Sequence, residues 1–324
     1  MRILVKGGGV AGLAVAHALH MRGAEVTVID PSPDFGQAAS WLAGGMLAPW
    51  CERESADEAV LRRGEDAADR WEAMLPGEVA RQGTLMVAPA RDLGELKRFS
   101  GRTTGHRWLE ESELAALEPA LAGRFRQGLF FAREAHLDPR RVLRSLRDKL
   151  AEGGVTFTTE AAPAETFDDV VDCTGAARIG QVRDLRGVRG EMLYLQTDEV
   201  KLSRPVRLLH PRIPIYIVPR RAGLFMVGAT MIETEFGGPI TARSLMELLN
   251  AAYALHPAFA DATVIETGAG TRPAFPDNFP RVTREENAVV LNGLYRHGFL
   301  LAPAMAVEAA NLVFSRNSEG AHAS

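Results

Sequence analysis

Three glycines and one acid near the start of the chain have the types and spacing to hold a nucleotide. Gly7-Gly8-Gly9-Val10-Ala11-Gly12 follows the apolar run Ile3-Leu4-Val5, and Asp30 ends a second run, Val26-Thr27-Val28-Ile29. In this pattern Gly7 makes the tight turn, Gly9 lets a pyrophosphate approach the backbone, and Gly12 lets helix and strand pack closely. The helix that opens at Val10 and Ala11 presents unpaired N–H groups and the positive end of its dipole to an anion. Asp30 is placed to accept hydrogen bonds from a ribose. A glycine-rich turn alone can be only a turn, but here the strand, the helix and the acidic end are all present. A second backbone approach to the same ligand is expected at Thr174-Gly175, after the apolar strand 169–173; its plainer reading is a strand-end turn.

These residues need a scaffold, and length and composition bound it. A chain of 324 residues suggests about two domains. Its 46% apolar and 24% charged content is that of an ordinary soluble globular protein. A net charge of −4 leaves no electrostatic footprint for nucleic acid or an anionic membrane. Cys51 and Cys173 form no disulfide or metal-ligand pattern, which fits a reducing, cytoplasmic setting. The apolar N-terminus lacks the basic region and cleavage site of a signal peptide. No uninterrupted apolar run reaches membrane-spanning length. His17, His20, His106, His136, His210 and His256 are dispersed, without metal-ligand spacing.

Along the chain, a long loop at 31–49 is expected to touch a ligand. Ser55-Ala56-Asp57-Glu58 reads as a capping box opening one helix to about Leu75. A strand at 83–89, charged helical stretches at 91–100 and 111–118, and a strand at 129–132 follow. Asp138 as N-cap and Pro139 in the first turn begin a helix whose Val142, Leu143, Leu146 and Leu150 make a buried stripe. Its Arg140, Arg141, Arg144, Arg147 and Lys149 read as a solvated face rather than a nucleic-acid surface. After strands at 155–159 and 169–173 the pattern changes to strands without helices, at 187–197, 205–210, 213–219 and 223–229. That succession predicts an antiparallel sheet in a second domain inserted into the first. A helix at 241–255, a strand at 263–268, a turn at Gly270-Thr271-Arg272-Pro273 and a buried strand at 289–292 return to the first domain. A glycine-rich turn leads to a terminal helix from about Ala302, and the tail from about Ser315 reads as frayed.

The residues resemble the D-amino-acid oxidase superfamily, and within it the glycine oxidases of the thiamine-biosynthesis type. Ala39-Ser40-Trp41-Leu42-Ala43-Gly44-Gly45-Met46-Leu47-Ala48-Pro49 resembles that family's flavin loop. Tyr216-Ile217-Val218-Pro219-Arg220, Val227-Gly228-Ala229-Thr230-Met231, Gly270-Thr271-Arg272-Pro273 and the segment from Gly293 to Pro303 follow in the family's order. The resemblance implies an α/β fold: a Rossmann-like FAD-binding domain (1–78, 136–186 and 265–324) with a discontinuous α+β substrate domain (79–135 and 187–264). It implies non-covalent FAD, because neither cysteine occupies the C-terminal position used for covalent flavin in sarcosine-oxidase-like relatives. The implied reaction is oxidative deamination of glycine or a similar small amino acid, by hydride transfer to flavin N5 with oxygen reduced to peroxide. The product imine would feed thiazole synthesis. A D-amino acid or sarcosine oxidase, or a dehydrogenase using another acceptor, shares the same pattern, and the superfamily often forms homo-oligomers. The chain departs from the family at 274–283 and is trimmed around 195–215, both expected near the substrate domain.

An amino-acid substrate brings a carboxylate, and Arg272 is the leading candidate to clamp it, since a guanidinium holds both oxygens with parallel N–H bonds. Its alternative is an ion pair across the domain junction. Tyr216 is a candidate second donor, Arg296 a further charge or carboxylate ligand, and Met231 an apolar wall or ordinary core filler. Ser40, Ala43, Gly44, Gly45 and Met46 are expected against the cofactor, as are His297, Gly298, Phe299 and Leu300, where a helix N-terminus would favour negative charge on the flavin. No general base stands out; a substrate entering as a neutral amine needs none.

Overall fold

The structure, a computed structural model, describes residues 1–32, 38–210, 214–235, 237–286 and 288–320, with side chains to 315. Part of the expected loop 31–49, the start of the expected strand 213–219 and the end of the tail lie outside the described residues. The near-continuous apolar strand Arg2–Lys6 is the kind that must be covered on both faces, and it sits inside a six-stranded sheet. The order is Thr156–Thr158, Glu25–Ile29, Arg2–Lys6, Asp169–Asp172, Ala288–Asn292, Arg281–Glu285, parallel except for the last pair. The edge strand Arg281–Glu285 has no counterpart in the sequence reading, because alternating charges hide its apolar face.

The helix Val10–His20 is buried along most of its length, between this sheet and the terminal helix Gly298–Gly320. Ala11, Ala14 and Ala16 on one helix, and Ala302, Ala306, Ala309 and Ala310 on the other, keep side-chain bulk low in this core. The stretch Gly298–Ser315 is apolar and long enough to cross a membrane, but 56% of it is buried within the protein.

The terminal helix starts at Gly298, earlier than expected, which puts Pro303 in its interior. Proline has no N–H, so the Phe299 carbonyl loses its helical donor. The indole of Trp71, itself fully buried, donates to that carbonyl instead at 2.7 Å. The tail also continues as helix to Gly320 rather than fraying from Ser315.

Two further expectations are corrected near this core. The single helix expected to run to Leu75 is two, Glu58–Gly64 and Ala67–Met74. Asp57 caps the first, its Oδ1 accepting from Ala59 N–H at 2.9 Å, in place of the Ser55 capping box. Gly64 ends it against Leu300, whose Cγ lies 2.6 Å from where a Cβ would stand.

The second sheet has nine strands in the order Ile232–Glu233, Arg186–Gln196, Leu224–Gly228, Ile215–Pro219, Val206–Leu208, Thr84–Val87, Gln127–Phe131, Arg107–Glu110. Its pairs are antiparallel except Val206–Leu208 with Thr84–Val87. The helix Ala242–Leu255 covers part of its apolar face, with Leu248, Ala252 and Leu255 buried. The ninth strand, Thr263–Ala274, pairs with Arg186–Gln196 along almost its whole length. The expected turn at 270–273 is therefore strand, and residues 265–274 belong to this sheet rather than to the nucleotide-binding part. Gly268 and Gly270 erased the apolar alternation that would have revealed it.

Candidate active site

A cavity of about 620 Å³ lies between the two sheets and draws on both. Every site residue named from the sequence lines it except Gly12. Gly12 works one layer back. A Cβ on it would stand 1.7 Å from the Gly7 carbonyl oxygen, so only glycine lets the helix seat against the turn. Gly7 has φ of 95° and faces the Cys173 carbonyl, because Asp169–Asp172 pairs parallel with Arg2–Lys6. That register also brings Thr174 and Gly175 beside the first turn. The Asp172 carboxylate accepts from the Thr174 N–H at 3.0 Å and hydroxyl at 2.6 Å, fixing this strand end.

The donors at the nucleotide end are partly committed to protein. Ser40 Oγ accepts from Val10 N–H at 3.3 Å, crossing from the flavin-like loop to the helix start. Asp30 accepts from Gly8 N–H at 2.5 Å and Ser32 N–H at 2.8 Å. A carboxylate has about four lone-pair sites, so both oxygens keep acceptor capacity toward a ribose. The glycine cradle, the cavity-lining helix start at Val10 and the second strand end fit a dinucleotide.

The other end is built from side chains. On Thr263–Ala274, residues Gly268, Gly270 and Arg272 share one face. The two glycines clear space for Leu42, and Arg272 reaches into the cavity. Its guanidinium lies over Gly190 on the neighbouring strand, where a Cβ would stand 2.0 Å from Nη2. Arg272 Nη1 donates to the Thr230 carbonyl at 3.1 Å. Thr230 is itself pinned to Glu191, whose N–H donates to its hydroxyl at 2.9 Å; Glu191 is fully buried and paired with Arg189 at 2.7 Å. Among the described residues no carboxylate pairs with Arg272, which removes the domain-junction ion pair. Burial pulls the Arg272 pKa down, and the Arg296 charge adds to that, while Tyr216 and Glu52 oppose it. The Tyr216 ring packs 2.6 Å from the position of a Gly44 Cβ, so the bare loop glycine makes room for it.

Arg296 is engaged rather than free. Its Nε lies 3.4 Å from Oε2 of Glu52, and Nδ1 of His297 lies 3.3 Å from the same oxygen. Glu52 Oε1 also meets Arg207 Nη1 at 3.1 Å, and Arg207 Nη2 meets Glu54 at 2.6 Å. Burial works against the Glu52 charge, but Arg296, His297 and Arg207 outweigh it and hold its carboxyl far below the usual range. Met231 is a rim residue rather than a wall. It is 43% exposed, and its sulfur accepts from Arg296 at 3.1 Å and from the Tyr295 hydroxyl at 3.6 Å.

Glu52, Glu54, Arg207 and Gly190 escaped the sequence reading. A lone arginine inside the apolar stretch Val206-Arg207-Leu208 was the one available signal, since a buried strand tolerates a charge only when it is paired. The departures at 274–283 lie outside the lining of the cavity. They form a turn closed by Asn278 N–H to the Phe275 carbonyl, with Arg281 stacked 4.2 Å over the Phe275 ring.

Known proteins are similar to this chain over nearly its whole length. The family described as FAD dependent oxidoreductase, DAO, matches residues 2–312. A protein of Rhizobium etli that is named as a thiamine biosynthesis oxidoreductase, ThiO, is 62% identical over 321 residues, covering 98% of each chain. A glycine oxidase of Bacillus licheniformis is 28% identical over 345 residues, covering 96% of this chain and 92% of its own. The fold matches the crystal structure of glycine oxidase from Geobacillus kaustophilus with a TM-score of 0.81 at 22% identity, over 97% and 95% of the chains. With a glycine cradle of the right build and a match from one end to the other, this chain belongs to the DAO family of FAD-dependent oxidoreductases.

Proposed function

We propose that the protein oxidises glycine, or an amino acid of similar size, to its imine, with oxygen as the electron acceptor and hydrogen peroxide as the co-product. One observation carries this reading: Arg272 is a cavity-lining cation without a carboxylate partner among the described residues. A half-buried charge left without a counter-ion in a cavity is costly, so the site is built to receive an anion there. A substrate carboxylate satisfies the guanidinium with two parallel hydrogen bonds, and the Tyr216 hydroxyl adds a third. The Arg189–Glu191 pair holds Thr230, Thr230 holds Arg272, and the substrate inherits that orientation.

FAD, when bound, supplies the hydride acceptor and the route to oxygen. The residues that would hold it are the turn at Gly7 and Gly9, the helix start at Val10 and Ala11, Asp30, the loop Ser40 to Met46, and Thr174-Gly175. The helix beginning at Gly298 directs its positive end at the cavity, next to His297 and Arg296. At this end of the cavity the described carboxylates, Glu52 and Glu54, are engaged by arginines rather than placed as a base. Arg296, His297 and Arg207 hold the Glu52 carboxyl far below its usual range, which fits a substrate amine that arrives neutral. The imine product, and the likeness to a relative named for thiamine biosynthesis, support a role in supplying iminoacetate for thiazole formation. The two buried thiols suit a reducing compartment.

The test is direct. The purified protein should be yellow, glycine should bleach it without oxygen, and oxygen uptake with peroxide release should follow in air. A screen of glycine, sarcosine and D-alanine then ranks substrates. Flavin that stays oxidised with all three amines would end the proposal.

A further inference from the structure

We infer that Glu52 sets substrate specificity by restricting the pocket to molecules with a single carboxylate. The inference rests on the reading above and extends it to a residue outside the carboxylate clamp. At this end of the cavity stand three arginines, Arg207, Arg272 and Arg296, and two carboxylates, Glu52 and Glu54. Arg207 spans both carboxylates, and Arg296 approaches the second oxygen of Glu52. Among these five side chains one positive charge is left over, and it is on Arg272, the guanidinium with no carboxylate partner among the described residues.

One substrate carboxylate therefore neutralises the site. A second would have to reach Arg296, which Glu52 already occupies, and would lie against the Glu52 anion itself. Like charges in a desolvated site exclude a ligand as firmly as a steric clash does. Glu52 is thus the repulsive element, and removing its charge creates a second free guanidinium 24 residues along the chain from Arg272 but in the same cavity. Arg207 keeps Glu54 as a partner in that variant, so the buried cation is not orphaned.

The experiment measures binding by calorimetry, with acetate and malonate as unreactive probes, and turnover with glycine and iminodiacetate. Wild type should prefer acetate over malonate. E52Q should shift the malonate-to-acetate affinity ratio by about tenfold or more toward malonate. The double variant E52Q/R296Q restores the charge count and should return the ratio to the wild-type side. R296Q alone, which leaves the site without net charge, should weaken acetate binding. An E52Q protein that melts like wild type yet keeps the wild-type ratio overturns the inference and makes Glu52 a buttress for Arg207. If E52Q does not fold, unchanged acetate binding in R296Q overturns it equally. A wild type that binds acetate and oxidises glycine leaves the functional reading standing in either case, whereas one that does neither removes both.

Discussion

The two ends of the cavity are made from different materials. The nucleotide end is mostly backbone: a turn at Gly7, a helix start at Val10 and a strand end at Thr174, with glycine where the chain must come close. The carboxylate end is mostly charged side chain, gathered from the strand residues Arg207 and Arg272, from Glu52 in a short helical turn and from Arg296 in the turn before the terminal helix. Backbone recognition depends on local conformation, so it tolerates few substitutions and is written in a few short segments. Side-chain recognition depends on which charge ends next to which, and a single paired carboxylate can reset it.

The contrast can be broken at its stiffest point first. Gly12→Ala puts a methyl against a backbone oxygen that cannot swing aside, so the protein should purify without flavin or not fold; a yellow, stable G12A would show that the cradle is softer than its geometry. At the other end Arg272→Ala should leave flavin bound and raise the KM for glycine about 100-fold, the worth of a bidentate charge-assisted contact. Gly190→Ala is the sharper test, since its methyl occupies the space of the guanidinium while touching no substrate group. A KM rise of about tenfold with flavin retained is expected, because a side-chain tip can move where a carbonyl cannot. An unchanged KM would place the guanidinium elsewhere.

Smaller effects test the supports. Glu134 is buried, accepts from Cys51 N–H at 2.8 Å, and burial pushes its pKa up to about 7. A raised folded-state value means that its contribution to stability is fully present below its ordinary carboxylate range and is lost as pH rises through 7. Glu134→Gln should therefore raise the Tm at about pH 9 and change it little at about pH 5; equal shifts at both would assign the effect to packing. Trp71→Phe keeps the ring against Phe299 but strands the carbonyl that Pro303 cannot serve. A loss of about 1–3 kcal/mol is expected from denaturant unfolding, with glycine kinetics nearly unchanged.

How much was readable follows from how local each feature is. The opening strand, turn, helix and Asp30 are one contiguous motif, and each residue type there is forced by its own backbone position. The helix beginning at Pro139 was equally plain, because Asp138 accepts from Arg140 N–H at 3.0 Å as an N-cap and the apolar spacing is regular. The strand Thr263–Ala274 was misread at Gly270 because Gly268 and Gly270, which make room for Leu42, interrupt the side-chain alternation that would reveal a strand. The helix at Gly298 was started too late because a proline usually marks a first turn, and nothing near it in sequence announces that Trp71 repairs the missing bond.

The sequence alone pointed to a bound dinucleotide, proposed the segment that would meet its phosphates, and named the arginine that is the candidate clamp. Those properties depend on neighbours a few residues apart, within reach of φ/ψ limits and helix dipoles. Only the tertiary structure decided that Arg272 has no carboxylate partner among the described residues while Arg296 is spoken for. Charge pairing in a low-dielectric cavity depends on distances of a few ångströms between residues separated by up to 244 positions, such as Glu52 and Arg296. Spacing along a chain carries no record of that distance.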